Sequence, residues 1–159
     1  MLVDDSAIIR GFMRRWIEED GRVDLVKVCA DGAQAVAEAA ACKPDVIILD
    51  IEMPNMDGLT ALPQLRRLVP DARIVMASTL TSAGAAQTVK ALALGAADYI
   101  AKPQTSQIGG VDSYRKDLLD KIVALGERSS GALRPRAEYR LHPRPTIARR
   151  PAALVVAAS

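Results

Sequence analysis

The aliphatic run at residues 46–49, with the sequence VIIL, constrains the fold more than any other feature of this chain. It lacks the apolar–polar alternation of a strand with one face in water, so it predicts a strand that is covered on both faces. Such strands belong to parallel sheets that carry helices on both sides. The sequence therefore favours an α/β domain in which residues 46–49 lie inside the sheet.

Short strand patterns alternate with longer helical patterns from residue 1 to about residue 127. We predict strands at residues 2–3, 23–29, 46–49, 73–77 and 97–101. We predict helices from Ser6 to Gly21, from about Gly32 to Lys43, and near residues 59–68, 85–94 and 113–125. This strict alternation predicts an α/β fold with a doubly wound, five-stranded parallel sheet. Right-handed crossovers then place the functional loops at the carboxyl ends of the strands.

The composition fits a globular protein with an aliphatic core, since half of the 159 residues are apolar and only 3% are aromatic. The formal net charge of +2 favours neither nucleic acid nor a membrane surface, and no nucleic-acid partner is expected. No apolar run reaches the ~18 residues of a membrane span. Asp4 and Asp5 stand where a signal peptide would be positively charged. We interpret Cys29 and Cys42 as small buried thiols of a cytoplasmic protein.

The character of the sequence changes at about residue 128. Residues 128–151 are rich in proline and arginine and have almost no apolar periodicity, which predicts an irregular linker that proline stiffens locally. The arginines would also suit a nucleic-acid-binding arm, but no recognition helix follows and Glu138 interrupts the positive charge. Residues 152–158 form a new apolar run that ends at Ser159, so we expect a further structural element to begin there.

Residues with complementary chemistry follow the predicted strands at their carboxyl ends. Asp4 and Asp5 follow the first strand, and Asp50 follows the third. Ser78 follows the fourth strand, and Lys102 follows the fifth. Because the carboxyl ends of parallel strands meet at one edge of the sheet, we expect three carboxylates, a hydroxyl and an ammonium group to lie close together.

This set of groups predicts a site that accepts a phosphoryl group. Three neighbouring carboxylates repel one another, and a hard divalent cation such as Mg²⁺ with oxygen ligands removes that penalty. Asp50 would then be the nucleophile, while the metal and Lys102 stabilise charge and Ser78 contacts a phosphoryl oxygen. Each residue alone has an ordinary structural explanation, such as a helix cap or a turn. Their occurrence together at strand ends favours the functional interpretation.

Four segments resemble the receiver domain of two-component response regulators: LVDDSAIIR, LDIEMPNMDGLTAL, VMASTLT and LGAADYIAKP. The resemblance covers residues 1 to about 127 and implies a flavodoxin-like receiver. It implies that Asp50 is the phosphorylation site, and that Asp5 and Asp50 are Mg²⁺ ligands. It also implies that Asp4 binds the metal through water and that the backbone carbonyl of Glu52 completes the protein ligands.

The same resemblance assigns roles around the phosphoryl group. It makes Lys102 the phosphate partner, ahead of a cis peptide bond at Pro103. It makes Ser78 the hydroxyl that follows the phosphoryl group, and Tyr99 the aromatic side chain whose rotamer changes with it. Receivers of this kind begin with a longer apolar first strand, so the short run before Asp4 suggests a fragment or a start codon set too late.

Three segments narrow the resemblance to the receivers of CheB-type chemotaxis protein-glutamate methylesterases: DIEMPNMDGLTALPQL, MASTLT and ALALGAADYIAKP. The resemblance implies phosphoryl transfer from a chemotaxis histidine kinase and methylated chemoreceptors as substrates of the parent enzyme. PAALVVAAS is similar to the opening strand of the catalytic domain, which makes Ser159 the esterase nucleophile. Residues 1–159 by themselves are expected to be inactive as an esterase.

Two alternatives remain beside this interpretation. The first is the receiver of a stand-alone or DNA-binding regulator, for which a helix-turn-helix pattern would follow the linker. The second is a hydrolase of the haloacid dehalogenase type, which also uses an aspartate nucleophile. Those enzymes have a second aspartate two residues later, where this chain has Glu52.

Overall fold

The computed structural model describes residues 1–79, 81–102 and 110–129, with the side chains of residues 128 and 129 left out. Its five strands form one parallel sheet in the order β2-β1-β3-β4-β5. The predicted doubly wound, five-stranded parallel sheet is therefore confirmed. The strands are β1 (Leu2–Val3), β2 (Val28–Cys29), β3 (Val46–Asp50), β4 (Arg73–Ser78) and β5 (Asp98–Ala101), and the helices are α1 (Ala7–Asp20), α2 (Gly32–Cys42), α3 (Gly58–Leu68), α4 (Ser82–Ala93) and α5 (Gly110–Ser129).

Strand β3 lies between β1 and β4, and all five of its residues are buried. Ile47 and Leu49 belong to one core cluster, which α2, α3 and α4 cover with residues such as Ala35, Leu62, Leu65 and Ala91. Val46 and Ile48 belong to the other cluster, which α1 and α5 cover with residues such as Met13, Ile17, Leu118 and Ile122. The strand lacks alternation because each of its faces contacts a separate layer of helices.

Helices α1 to α4 begin at side-chain caps, which satisfy backbone N–H groups of the first turn. The Ser6 hydroxyl accepts a hydrogen bond from the Ile9 N–H, and α1 ends at Gly21 in the left-handed conformation. Helix α4 begins at Ser82, three residues before the predicted start, because the Thr81 hydroxyl accepts a bond from the Gly84 N–H at 2.9 Å. Short polar residues thus determine helix starts that apolar periodicity alone places less accurately.

Strand β2 is much shorter than predicted, since only Val28–Cys29 of the expected 23–29 pair with β1. The reason is the length of its neighbour, because β1 begins at Leu2 and Leu2 pairs with Val28. Residues before Lys27 therefore have no β1 residue opposite them. Val23 and Leu25 nevertheless pack against the core that α1 and α5 cover.

A groove of about 600 Å³ lies at the amino ends of β1 and β3. Its lining includes Met1, residues 23–26 and residues 43–46. By the register of the sheet, a residue placed immediately before Met1 would lie opposite Val26 and Val46. The groove therefore has the position of an amino-terminal continuation of β1.

We expect a chain with a few apolar residues added before Met1 to be more stable than the 159-residue chain. Each additional fully buried Val or Ile contributes about 1.5–3 kcal/mol before the entropy of ordering is subtracted. Chemical denaturation measures the difference, with an extension of the same length made of glycine and serine as the control. Equal midpoints for the apolar and the control extensions would contradict this expectation.

Helix α5 ends at Ser129, and the rest of the predicted linker, residues 130–151, lies outside the described residues, as do residues 152–159. The predicted domain boundaries at residues 127 and 151 therefore stay predictions. The side chain of Phe12 in α1 is more than half exposed, and its ring stacks on Trp16 with 5.9 Å between the ring centroids. Within the described ranges, no helix is both long and apolar enough to cross a membrane.

Candidate functional site

Lys102 joins two buried carboxylates at the carboxyl edge of the sheet. Its Nζ atom lies 2.6 Å from Asp50 Oδ2 and 2.7 Å from Asp4 Oδ2. Asp50 ends β3, Asp4 follows β1 and Lys102 follows β5, and all three side chains are buried. The parallel topology has thus brought together residues that lie far apart in the sequence.

Local contacts position Asp4 at the start of α1. Its Oδ1 atom accepts a hydrogen bond from the Ser6 N–H at 2.9 Å. Its backbone carbonyl accepts a bond from Arg10 Nη1 at 2.6 Å. Asp4 Oδ1 is therefore occupied by the chain itself, whereas Oδ2 faces Lys102.

Asp50 is positioned by the loop that follows it. Its Oδ1 atom accepts a long hydrogen bond of 3.4 Å from the Glu52 N–H. The Gly58 N–H donates to the carbonyl of Ile51 at 2.9 Å, which closes the loop onto β3. A Cβ atom on Gly58 would overlap the carbonyl oxygen of Asp50. Glycine at position 58 is therefore required by the close approach of α3 to the end of β3.

The three acids form a group that could hold a metal ion. One carboxylate oxygen from each of Asp4, Asp5 and Asp50 lies within 4.8 Å of the others. Asp5 is exposed, so the group opens to solvent on its side. Lys102 lies close to Asp4 Oδ2 but not in hydrogen-bonding geometry, so this buried oxygen has no hydrogen-bond donor among the described residues. Oxygen atoms with free lone pairs fit a hard divalent cation.

The electrostatics of the cluster reflect burial first and ion pairing second. Burial raises the pKa of Asp50 to about 6, although the Lys102 ammonium acts in the opposite direction. Burial also disfavours the charged form of Lys102, but the close contacts of its ammonium with the Asp4 and Asp50 carboxylates raise its pKa above the ordinary value. Lys102 therefore stays a cation between Asp4 and Asp50. The cluster has three carboxylates and a single ammonium group, so it has an excess of negative charge.

The remaining predicted site residues lie around this cluster or outside the described ranges. Ser78 ends β4, directly after Ala77, which is the register neighbour of Asp50. The Ser78 side chain is buried and contacts Thr88. Tyr99 lies in β5 and is 46% exposed. Glu52 contributes the N–H described above, and the role of its carbonyl stays a prediction. Pro103 and Ser159 lie outside the described residues, so neither the cis peptide bond nor the nucleophile is tested.

Sequence reasoning missed two residues that shape the site. Gly58 permits the approach of α3 to Asp50, and the pair Asp57-Gly58 is a signal for a turn that points to it. Thr88 contacts the hydroxyl of Ser78 from α4. The spacing of Gly84, Thr88 and Ala91 on the buried face of α4 marks Thr88 as a polar residue in an apolar position.

Comparison with known proteins identifies the family of this fold and cluster. Residues 1–108 match the response regulator receiver domain. The chain belongs to this family. The receiver is also similar to solved structures, among them the response regulator domain of CheB from Thermotoga maritima. That match has 40% identity and a TM-score of 0.70, and it covers 79% of this chain and 93% of the solved chain.

Curated relatives of the receiver are protein-glutamate methylesterase/protein-glutamine glutaminases. Protein-glutamate methylesterase/protein-glutamine glutaminase 2 of Caulobacter vibrioides is 51% identical to this chain over 148 residues. The match covers 93% of this chain and 41% of the relative. The protein from Maricaulis maris is 51% identical over 128 residues, 80% of this chain and 32% of the relative. The chain thus spans less than half the length of these relatives. These matches confirm the prediction that the chain contains a receiver of the kind found in chemotaxis methylesterases.

A more distant structure adds information on ligands. A chain of the CheX–CheY–BeF3–Mg²⁺ complex from Borrelia burgdorferi is 27% identical to the receiver, with a TM-score of 0.64. The match covers 78% of this chain and 85% of the solved chain. That structure is of a complex that contains BeF3 and Mg²⁺.

Proposed function

We propose that this receiver accepts a phosphoryl group on Asp50 from a phosphohistidine of a chemotaxis histidine kinase, and thereby regulates an attached protein-glutamate methylesterase. The observation that carries the proposal is the contact of Lys102 Nζ with both Asp50 and Asp4 at the edge of the sheet. The similarity to methylesterase receivers supports the choice of regulated enzyme. Cytoplasmic location and a kinase partner are parts of the same proposal.

The chemistry of the transfer follows from the nature of the groups. An oxygen of the Asp50 carboxylate attacks phosphorus, a new P–O bond forms, and the P–N bond to the donor imidazole breaks. The imidazole leaves with the electron pair of that bond and takes up a proton from solvent. The product is an acyl phosphate, and Asp50 no longer carries its own negative charge. Lys102 is then free to pair with a phosphoryl oxygen within the same small space.

Asp5 and Asp50 would hold the cation, with Asp4 acting through water and the Glu52 carbonyl as a further ligand. Mg²⁺ is the candidate because it prefers oxygen ligands and retains several waters. When bound, it supplies positive charge that offsets the repulsion between the carboxylates and the incoming phosphoryl group. Two features fit this assignment: the side of the group at Asp5 is open to solvent, and Asp4 Oδ2 accepts no hydrogen bond from the described residues.

The proposed regulation depends on residues near Asp50 that gain a partner when the phosphoryl group is present. Contacts from the phosphoryl group to Lys102 and Ser78 would favour one of two conformations of the receiver. Tyr99, half-exposed in β5, would change its rotamer with them. In the unphosphorylated conformation the receiver would obstruct the methylesterase domain.

Methanol release from membranes that carry methylated chemoreceptors tests the regulated activity. A protein that continues through a methylesterase domain should release methanol faster after phosphorylation, and Ser159→Ala should abolish the release. The 159-residue chain should release none, because a serine nucleophile requires a base and an oxyanion hole that a further domain would supply. Full activity of the Ser159→Ala protein would refute the assignment of Ser159 as the nucleophile. Methanol release by the 159-residue chain would refute the proposal that the esterase activity requires a further domain.

The Lys102→Ala receiver should still accept phosphate, more slowly than wild type, but fail to change conformation. The ion pair to the phosphoryl group provides much of the free-energy difference between the two states, and alanine cannot form it. Amide chemical shifts around residues 78–81 and Tyr99 report the change. Lys27→Ala is the control, since Lys27 pairs with Glu38 and not with the site. A wild-type pattern of shifts in phosphorylated Lys102→Ala would contradict the role of Lys102.

A further inference from the structure

The loop between β3 and α3, residues 51–57, is bonded to the start of α2 at two points. The side-chain Nδ2 of Asn55 donates a hydrogen bond to Oδ2 of the buried Asp31 at 3.1 Å. The backbone N–H of Gly32 donates to the carbonyl oxygen of Met56, also at 3.1 Å. Both bonds join the outer part of the loop to a helix that lies far from it in the sequence.

The contact between the loop and α2 leaves no room for a side chain at position 32. A Cβ atom on Gly32 would lie 2.6 Å from the carbonyl oxygen of Met56 and 2.9 Å from the Cβ atom of Ala61 in α3. Glycine is required where two backbones approach each other in this way. The start of α2 therefore supports the loop directly, without a layer of side chains between them.

The backbone at Asn55 is strained, so it needs this support. Its φ is 62°, in the left-handed region that non-glycine residues seldom adopt, although asparagine tolerates it better than most. The Met56 N–H donates to the carbonyl of Pro54 at 2.7 Å, so the chain turns within three residues. A turn this tight around a residue of positive φ is rare and strained, and it persists only where its surroundings hold it. The bond to Asp31 is a side-chain contact of that kind.

The other end of the same loop reaches the acidic group. The Glu52 N–H donates to Asp50 Oδ1, and the Glu52 carbonyl is the proposed further ligand of the cation. The carbonyl of Ile51 is bonded to the first residue of α3, which fixes that end of the loop. Only three residues lie between Ile51 and Asn55. The orientation of the Glu52 carbonyl therefore depends on the turn at Asn55 as well as on the end of β3.

We propose that Asn55 is a positioning residue that, through its bond to Asp31, keeps the Glu52 carbonyl in place for the cation. This inference rests on the cation site of the proposed function. Asn55 acts through the loop and touches neither the cation nor the phosphoryl group. Without the bond to Asp31, the loop populates other conformations, and the apparent affinity for the cation falls in proportion to the fraction that remains competent.

The bond to Asn55 can be changed without loss of the helix cap. Asp31 Oδ1 accepts a hydrogen bond from the Gln34 N–H at the start of α2, and Oδ2 accepts the bond from Asn55. A substitution at Asn55 therefore leaves the cap intact. Asp31→Asn alone also retains both contacts, because its amide oxygen can accept from Gln34 while the Asn55 amide turns over to accept from the new N–H.

Exchange of the two side chains tests the inference. Asn55→Asp places a carboxylate against the Asp31 carboxylate, which breaks the bond, and Asn55→Gly removes the side chain but still permits positive φ. Titration with MgCl2, followed by the amide chemical shifts of Ile51 and Glu52, measures the dissociation constant of Mg²⁺. Both variants should bind Mg²⁺ roughly 3- to 10-fold more weakly than wild type. The double variant Asp31→Asn with Asn55→Asp has the net charge of wild type and can re-form the bond, so it should restore the wild-type affinity.

The added charge of Asn55→Asp separates positioning from simple electrostatics. A further carboxylate near a cation site attracts the cation, so electrostatics alone would make Mg²⁺ binding tighter. Wild-type or tighter binding in Asn55→Asp would overturn the inference, as would a double variant that binds as weakly as Asn55→Asp. If Asn55→Asp does not fold, wild-type affinity in Asn55→Gly overturns it. A wild type that binds no Mg²⁺ would instead overturn the cation site of the proposed function.

Discussion

The Asp50→Asn receiver is expected to take up no phosphoryl group from a small acyl phosphate with Mg²⁺, under conditions that label the wild type. The amide of asparagine is a poor nucleophile, and it removes one of the three negative charges that the acidic group offers a cation. The shape of the side chain is nearly unchanged, so packing at the end of β3 should be retained. Intact-protein mass spectrometry after incubation with the donor measures the uptake directly.

Asp31→Asn is the matched control for this substitution. Asp31 is another buried aspartate, but its Oδ1 atom accepts a hydrogen bond from the Gln34 N–H at 2.8 Å as the cap of α2. Asparagine caps helices about as well as aspartate, so this variant should fold and be labelled like wild type. Labelling of Asp50→Asn to the wild-type level would sink the assignment of the acceptor. Equal loss of labelling in both variants would show that the effect is not specific to Asp50.

The Gly58→Ala receiver is expected to lose about 3 kcal/mol or more of stability, among the larger effects of single substitutions. A Cβ atom at position 58 would overlap the backbone carbonyl of Asp50, which cannot move without disturbing the β3–β4 pairing. The bond from the Gly58 N–H to Ile51 would be strained at the same time. Chemical denaturation measures the stability, and phosphoryl uptake by the folded fraction should also fall because the Asp50 backbone is displaced.

Gly11→Ala is the matched control, because Gly11 lies in the interior of α1 with open space where a Cβ atom would be. Alanine is the better helix former by up to about 1 kcal/mol, so this variant should be slightly more stable than wild type. Uptake of phosphate should be unchanged in it. A Gly58→Ala protein as stable as wild type would contradict the close packing of α3 on the end of β3.

The sheet could be predicted because each strand carries its own signal in the sequence. The run at residues 46–49 does not alternate between apolar and polar residues, which predicted a strand covered on both faces. The structure has one core cluster on each face, and Ile47 and Ile48 belong to different clusters. The length of β2 could not be predicted in this way. Pairing of residues 23–27 depends on how many residues β1 offers, and no pattern within residues 23–27 contains that information.

The cluster could be predicted because parallel topology fixes which strand ends meet. Asp4, Asp50 and Lys102 each stand directly at the end of a strand, so their proximity follows from the fold and needs no side-chain detail. Thr88 and Gly58 were missed for a different reason. Their importance lies in contacts between one helix and one strand end, which depend on how closely the two elements approach and not on the pattern of either.

Mapping of the phosphoryl group with and without a divalent cation tests whether Asp50 is the acceptor and whether its phosphorylation requires the metal. The wild-type chain is incubated with a small acyl phosphate, once with Mg²⁺ and once with a chelator in its place, and then digested and mapped by mass spectrometry. We predict one phosphoryl group on the peptide that contains Asp50 in the presence of Mg²⁺, and none with the chelator. A phosphoryl group on a different residue, or equal labelling of Asp50 without the cation, would contradict the proposed role of Asp50 and the metal.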